Sequence, residues 1–447
     1  MQPQKNLFKL AWPIYIEFLF FMLMGVADTI MLSQYSDLSV AAVGNANRIV
    51  GLFMVLLNVV AIGVGIVVSQ YVGAKLHGEA KNAIRAGLYS SALIALSLMI
   101  ILQLFATRLF GFINTPETIF NDSLSYLRIV SMGLIFIAIS QSISAGFKSH
   151  GHTKLMMGVV GTTNLLNVVL NFFLIFGIGF FPELGVLGAA ISTLISKGVT
   201  LIIAFILLYK ILGISPFFIN FRPLKTYFFK ILSIGIPSAL EHFVYQLTQV
   251  VLLSFINTIG TVALTTQIYV FNLMMPVIVF SLAVAQGNQV MVGWHVGAGE
   301  YEEAYRRTLK TLKYSIGIVI TVAVIMYLNA ETLLGIFTSN QAIIEMGKRT
   351  MFIVIFIEIG RLSNLVVIQS LRASGDVIYP VIIAVISMLG VGISVAYLFG
   401  IRFEYGLAGI FIGLAADESL RGALVLYRWI KRDWIGKRIT KMQTKTA

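Results

Sequence analysis

A carboxylate stands at position 28, inside an apolar run from Leu7 to Leu32, with Ala27 before it and Thr29 after. An ionisable group in hydrocarbon is expensive, so each one is a candidate for holding or moving an ion. A carboxylate in low dielectric keeps its proton more firmly than in water and can exchange it near neutral pH. Asn164, Asn167 and Asn171 recur at spacings of three and four, which places three amides on one helix face. Such amides need partners in an apolar setting. They suit Na+ ligation beside Asp28, together with Asn167 and Asn171, or plain helix packing. Glu358, Arg361 and Asn364 stand at i, i+3 and i+6, and Asp417, Glu418 and Arg421 form a second group. The three acids exceed the two arginines by one, and Glu241 adds another. That excess suits a cation route; the rival reading is an ion-paired structural core.

The solvent of these groups follows from composition. The chain has 447 residues, 58% hydrophobic and 11% charged, with a mean hydropathy of +0.91. Ordinary soluble domains are roughly 45–50% apolar and about 25% charged, so a soluble enzyme and a disordered chain are both excluded. A helix needs about 20 apolar residues to cross a bilayer. Twelve such spans are expected, near 7–33, 42–70, 86–106, 124–147, 155–178, 185–209, 231–256, 264–293, 313–330, 350–371, 377–400 and 406–430. An outer-membrane barrel would show short alternating segments instead. The first span is too long for a signal peptide and lacks a small-residue cleavage site. Of 32 Lys and Arg, 23 fall beside the termini or in loops on their side, 6 on the other side, and three, Lys197, Arg361 and Arg421, within spans. This bias predicts that both termini are cytoplasmic. The net charge of +13 is then an orientation signal and gives no reason to expect nucleic acid.

Other chemistry is scarce. There is no cysteine, hence no disulfide, thiol nucleophile or Cys-ligated zinc. His77, His150, His152 and His295 show no metal spacing. No G-x-x-x-x-G-K-[ST] loop occurs, and no nucleophile–base constellation is visible, so no cofactor and no enzymatic activity are expected. Met22, Met24, Met274 and Met275 suit an adaptable apolar surface, although methionines at helical spacing are mostly core. Tyr15, Tyr245, Gln246, Gln249, Gln267 and Tyr269 offer hydrogen bonds or cation–π contacts.

The two halves repeat. At an offset of 224, Pro13 matches Pro237, Glu17 matches Glu241, Val72-Gly73-Ala74 matches Val296-Gly297-Ala298, and Lys148 and Gly151 match Arg372 and Gly375. The offset slips to 221 near the end, where Glu183, Gly185 and Gly188 match Glu404, Gly406 and Gly409. Six helices lie in each half, so the repeats are parallel, related by an axis along the membrane normal. Such repeats are a transporter design. The expected division is an N-lobe over 1–209, a linker over 210–230, a C-lobe over 231–430 and a basic tail over 431–447. Lys197 answers Glu418 in this alignment and is expected to satisfy an N-lobe carboxylate such as Glu17. Glu17 and Glu241 read equally well as a symmetric structural pair.

The segment from Pro13 through VADTIMLSQYSDLSVAAVG resembles the first helix and loop of the multidrug and toxic compound extrusion (MATE) family. SQYVGAKLHGEAKNA, NVVLNFFLIFGIG and LRASGDVIYP are similar to that family too. The resemblance covers residues 7–430. It implies an all-α membrane protein of two six-helix lobes, and efflux of amphipathic, mostly cationic compounds in exchange for H+ or Na+ by rocking of the lobes. The family's first-helix aspartate falls on Asp28. Part of the family has a second aspartate where this chain has Asn171, and several relatives place a coupling glutamate where it has Tyr245. Ion-coupling candidates are therefore Asp28, Asn167, Asn171, Glu241, Glu358, Asp417 and Glu418. Substrate-binding candidates are Met24, Asp28, Asn164, Asn167, Asn171, Tyr245, Gln249 and Met275. Glu17, Lys197, Arg361 and Arg421 are expected as structural charge partners. The setting is a bacterial inner membrane and the state a monomer. The alternative is a flippase of lipid-linked precursors, which would need several free cations in its interior.

Overall fold

The computed structural model describes residues 6–179, 181–215 and 221–439, with the backbone alone at 221–224. Lys5, Lys441, Lys445 and the side chain of Arg222, all counted in the charge bias, lie outside the described residues, as does the tail from 440. The described chain is helical: α1 Leu7–Tyr35, α2 Asp37–Gly73, α3 His77–Phe112, α4 Glu117–Ser149, α5 Thr153–Phe176, α6 Val186–Leu212, α7 Phe221–Ile259, α8 Thr261–Ala298, α9 Tyr301–Leu328, α10 Ala330–Gly335, α11 Gln341–Ser374, α12 Ile378–Arg402 and α13 Gly406–Lys431. All but the six-residue α10 correspond to the twelve expected spans. Eleven are long and apolar enough to cross a membrane. The twelfth, α13, has the length, with 26 residues, but Asp417, Glu418 and Arg421 interrupt its apolar run. The outward faces carry residues such as Leu52, Leu104 and Ile202, as a lipid-facing surface does.

The helices overrun the apolar runs. α9 starts at Tyr301, not near 313, and α11 at Gln341, not near 350. Glu, Lys and Arg are good helix formers, so charged segments continue the helix beyond the hydrocarbon. For the same reason the second part of the expected linker is helix: α7 begins at Phe221.

The chain forms two compact units. One holds residues up to Tyr15, Gly73–Lys75 and Pro237 onward; the other holds Ile16–Val72 and Leu76–Ile236. Their boundaries thus cut α1 and α7 rather than falling at 209 and 231. In the second of these units, α4 packs against α3 and α6 around Leu102, Leu127, Leu134 and Ala190. In the other, α11 packs against α9, α13 and α8, around Leu312, Val366, Leu371 and Trp429. The fourth and tenth spans therefore hold the same place in their halves.

Two matched features fix that place. Glu17 on α1 pairs with Lys148 at the end of α4 at 2.8 Å, and Glu241 on α7 pairs with Arg372 at the end of α11 at 2.5 Å. All four side chains are largely withdrawn from solvent. The repeat thus carries an ion pair in each half. The pairing of Lys197 with Glu17 expected from the sequence is corrected: Lys148 reaches Glu17 first. The second feature is close approach. A Cβ on Gly188 of α6 would lie 2.4 Å from the Leu174 carbonyl of α5, and one on Gly409 of α13 would lie 2.3 Å from the Phe399 carbonyl carbon of α12. Glycines at such contacts let helix backbones meet.

Two outcomes follow for thermal unfolding of the detergent-purified protein. Gly188→Ala and Gly409→Ala each lower stability by about 1–3 kcal/mol, whereas Gly158→Ala and Gly317→Ala, with nothing within 4 Å, leave it level or raise it slightly. Glu17→Gln, which leaves Lys148 buried and unpaired, costs about 3–5 kcal/mol, and the double change Glu17→Leu with Lys148→Met recovers most of that loss. A single variant no worse than the double would contradict the pairing.

Candidate functional site

Asp28 lies on α1 fifteen residues after Pro13, hence about 22 Å beyond it along the helix. It is half-buried. Its Oδ1 accepts from Asn171 Nδ2 at 2.6 Å, and the same amide donates to Asn167 Oδ1 at 3.3 Å. Asn164, Asn167 and Asn171 are buried, on one face of α5 as their spacing predicts. Three of their amide atoms, Asn164 Nδ2, Asn167 Nδ2 and Asn171 Oδ1, are enclosed without a hydrogen-bond partner. Met24 is one turn before Asp28 and half-buried. Lys197 on α6 is the cation acting on Asp28, and its Nζ lies 5.6 Å from the centre of the Phe21 ring. The lysine's carboxylate is therefore Asp28, not Glu17. Its place facing α1 was not legible, because one sequence gives no relative depth for α6 and α1.

The other unit holds a second cluster, built by α11 and α13. Arg361 bonds Glu358, and its Nε lies 3.6 Å from Glu418 Oε1. Arg421 Nη2 reaches Asp417 at 2.8 Å and Glu418 at 2.9 Å. Asn364 Nδ2 donates to Glu418 Oε2 at 2.9 Å. Glu418 is thus the hub that joins the two groups across α11 and α13. Glu358 Oε2 and Asp417 Oδ1 have no partner. Tyr245 on α7 lies within the field of these charges. Gln249, one turn further on α7, and Met275 on α8 are half-buried in the same unit. So the structure gathers Met24, Asp28 and the three asparagines in one unit, and Tyr245 with the acids in the other.

α12 widens to π turns over Ile386–Gly392 and Tyr397–Arg402. At the first, a Cβ on Gly392 would stand 3.2 Å from Asp417 Cβ, and Ser387 Oγ donates to the Asp417 carbonyl at 3.2 Å. Irregular turns of this kind gather at functional sites. Gly390 and Gly392 were the available sequence signal. Glu241 differs from the other acids: it lies against Arg372 at 2.5 Å and not in the cluster of α11 and α13. Among the described residues, no three His, Cys, Asp or Glu side chains gather as a metal site.

The family model described as MatE matches residues 13–173 and 237–398, one match in each half. The uncharacterized transporter YisQ of Bacillus subtilis is 39% identical over 97% of this chain and 95% of its own. A Thermotoga maritima protein named as a probable multidrug resistance protein NorM is 30% identical over 96% of this chain and 93% of its own. Among solved structures, a variant of the Vibrio cholerae MATE transporter VcmN is 21% identical, with a TM-score of 0.86 over 95% of this chain and 96% of that one. An outward-facing multidrug resistance MATE transporter has a TM-score of 0.85 at 21% identity, over 95% of each chain. The chain, with its twelve spans in two repeated halves, belongs to the MatE family of membrane transporters.

Proposed function

We propose that the protein is a secondary active multidrug exporter of a bacterial inner membrane, working as a monomer with cytoplasmic termini. It moves amphipathic, mostly cationic compounds outward in exchange for H+ or Na+, by alternating access. Asp28 is the group that ion and compound share. One observation carries this reading: a half-buried carboxylate bonded by Asn171, with three enclosed amide atoms on the same face of α5 left without hydrogen-bond partners. The oxygens of Asp28, Asn167 and Asn171 suit Na+, and Asp28 alone suits H+.

The charges give the exchange a direction. With Asp28 ionised, Lys197 balances it and the site is neutral; a proton on Asp28 leaves the site at one positive charge. A cation bound there is then repelled, which couples ion uptake to release. Met24 serves as an adaptable contact for the compound beside Asp28, and Tyr245, Gln249 and Met275 offer such contacts in their own unit. A flippase for anionic lipid precursors would need uncommitted cations inside. Arg361 and Arg421 are each held by carboxylates, and Lys197 faces Asp28, which favours the cation exporter. The unbalanced acid among Glu358, Asp417 and Glu418 adds a second cation attractor in the C-terminal half.

Reconstitution in vesicles tests this, with proton and sodium gradients imposed separately and ethidium movement followed by fluorescence. Wild type moves the dye with one gradient, and Asp28→Asn lowers that rate at least tenfold while keeping its melting temperature within a few degrees. Undiminished transport by Asp28→Asn would sink the proposal. Asp417→Asn leaves each arginine one carboxylate, Glu358 for Arg361 and Glu418 for Arg421, and removes only the excess charge. Its expected result is a several-fold slower gradient-driven rate in a folded protein; an unchanged rate would make the cluster structural.

A further inference from the structure

A groove of about 720 Å³ lies between the start of α1, up to Tyr15, and the Arg307–Ile318 stretch of α9, over α8. Trp12 and Tyr15 form the α1 wall, Arg307, Lys310 and Tyr314 the α9 wall, and Phe280 the floor. All belong to the unit that contains residues up to Tyr15 and those from Pro237. α1 seats closely on α8 here: a Cβ on Gly287 would stand 3.3 Å from Ala11 Cβ, and the Tyr15 and Phe280 rings meet edge-on at 6.2 Å.

The groove has two chemistries in one direction. Its cations, Lys9, Arg307 and Lys310, lie toward the helix starts, and no lining residue is acidic. Beyond them the lining is mainly aromatic and aliphatic, with the hydroxyls of Thr311 and Ser315 between, and ends at Ile318. In α9 the last charge of the opening run is Lys313, after which the helix is apolar, so the change falls at the boundary between headgroups and hydrocarbon. Trp and Tyr gather at that boundary. Arg307 is poorly served by the protein: Nε is enclosed without a partner, and Nη2 reaches the Met291 thioether at 3.0 Å, a weak acceptor. The guanidinium forms bidentate pairs with phosphate oxygens.

We propose that this groove binds one anionic phospholipid of the leaflet on the N-terminal side. Its phosphodiester lies against Arg307 and Lys310, and an acyl chain runs along Tyr15, Phe280 and Ile318. A basic pocket between spans is the setting in which acidic headgroups are recognised. A cation is repelled by the basic end that attracts a phosphodiester.

Trp12 is the reporter, being 48% exposed while Trp294, Trp429 and Trp434 are at most 3% exposed. The full-length protein in mixed micelles is titrated with phosphatidylglycerol or phosphatidylcholine carrying brominated chains, and tryptophan quenching is read. Phosphatidylglycerol is expected to quench at several-fold lower mole fraction, with the signal lost in Trp12→Phe. Arg307→Gln and Lys310→Gln each reduce the preference about fivefold and combined remove it, while Arg307→Lys combined with Lys310→Arg retains it. In the unaltered protein the preference falls as salt rises from about 0.1 to 1 M and the screening length drops from about 10 to 3 Å. Equal quenching by the two lipids, a preference that survives the double neutralisation, or insensitivity to salt would each overturn the proposal. So would full displacement by millimolar glycerol phosphate, which would assign the site to a soluble phosphate.

Discussion

Hydrocarbon offers no hydrogen bonds, so every charge inside the protein must be met by the protein itself. The chain solves this twice with one device. An acid one turn after a helix proline, Glu17 or Glu241, meets a base at the end of the fourth or tenth span, Lys148 or Arg372. Each pair ties the first helix of a half to the helix at that half's centre. Removing one partner leaves an unpaired charge, at a cost of about 3–5 kcal/mol, a large share of the net stability of any domain. The packing of α3 and α6 on α4, and of α9 and α13 on α11, is built round those central helices.

On this repeated frame the polar chemistry is not repeated. Leu252 stands where Asp28 has its counterpart, and α12, which answers α5, contains no asparagine. Conversely Glu358 and Arg361 answer Leu134 and Ile137, and Asp417 and Arg421 answer Ser196 and Thr200. Apart from the matched ion pairs, the site of one half has a single acid, three amides and a lysine, and that of the other has three acids, two arginines and one amide, Asn364. The matched residues hold the frame, and the unmatched polar residues are where function is sought. Lys197 and Glu418, opposite in sign at matched positions, each face the site of their own half.

Much of this was legible in the sequence. Twelve spans, the doubled half and the shared face of the asparagines follow from hydropathy and spacing, which bilayer thickness and helix period determine. The glycine match of Gly188 with Gly409 was visible, and its cause is the contact of α6 with α5 and of α13 with α12. Span ends were not legible, because Glu302, Arg306 and Lys310 are as helical as the apolar residues that follow. Nor were the partners of Glu17 and Lys197: the matched Lys148 and Arg372 were the available clue, but depth within the membrane is a tertiary quantity. The π turns of α12 escaped for the same reason, since they depend on how closely α13 approaches.

The central claim is that ion and compound compete for Asp28. Binding of tetraphenylphosphonium to the purified protein, measured by calorimetry over a series of pH values and sodium concentrations, tests it directly. The account predicts that affinity falls as one of the two ions rises, with that ion released on binding, and that Asp28→Asn removes the dependence. An affinity indifferent to both pH and sodium in the unaltered protein would contradict it.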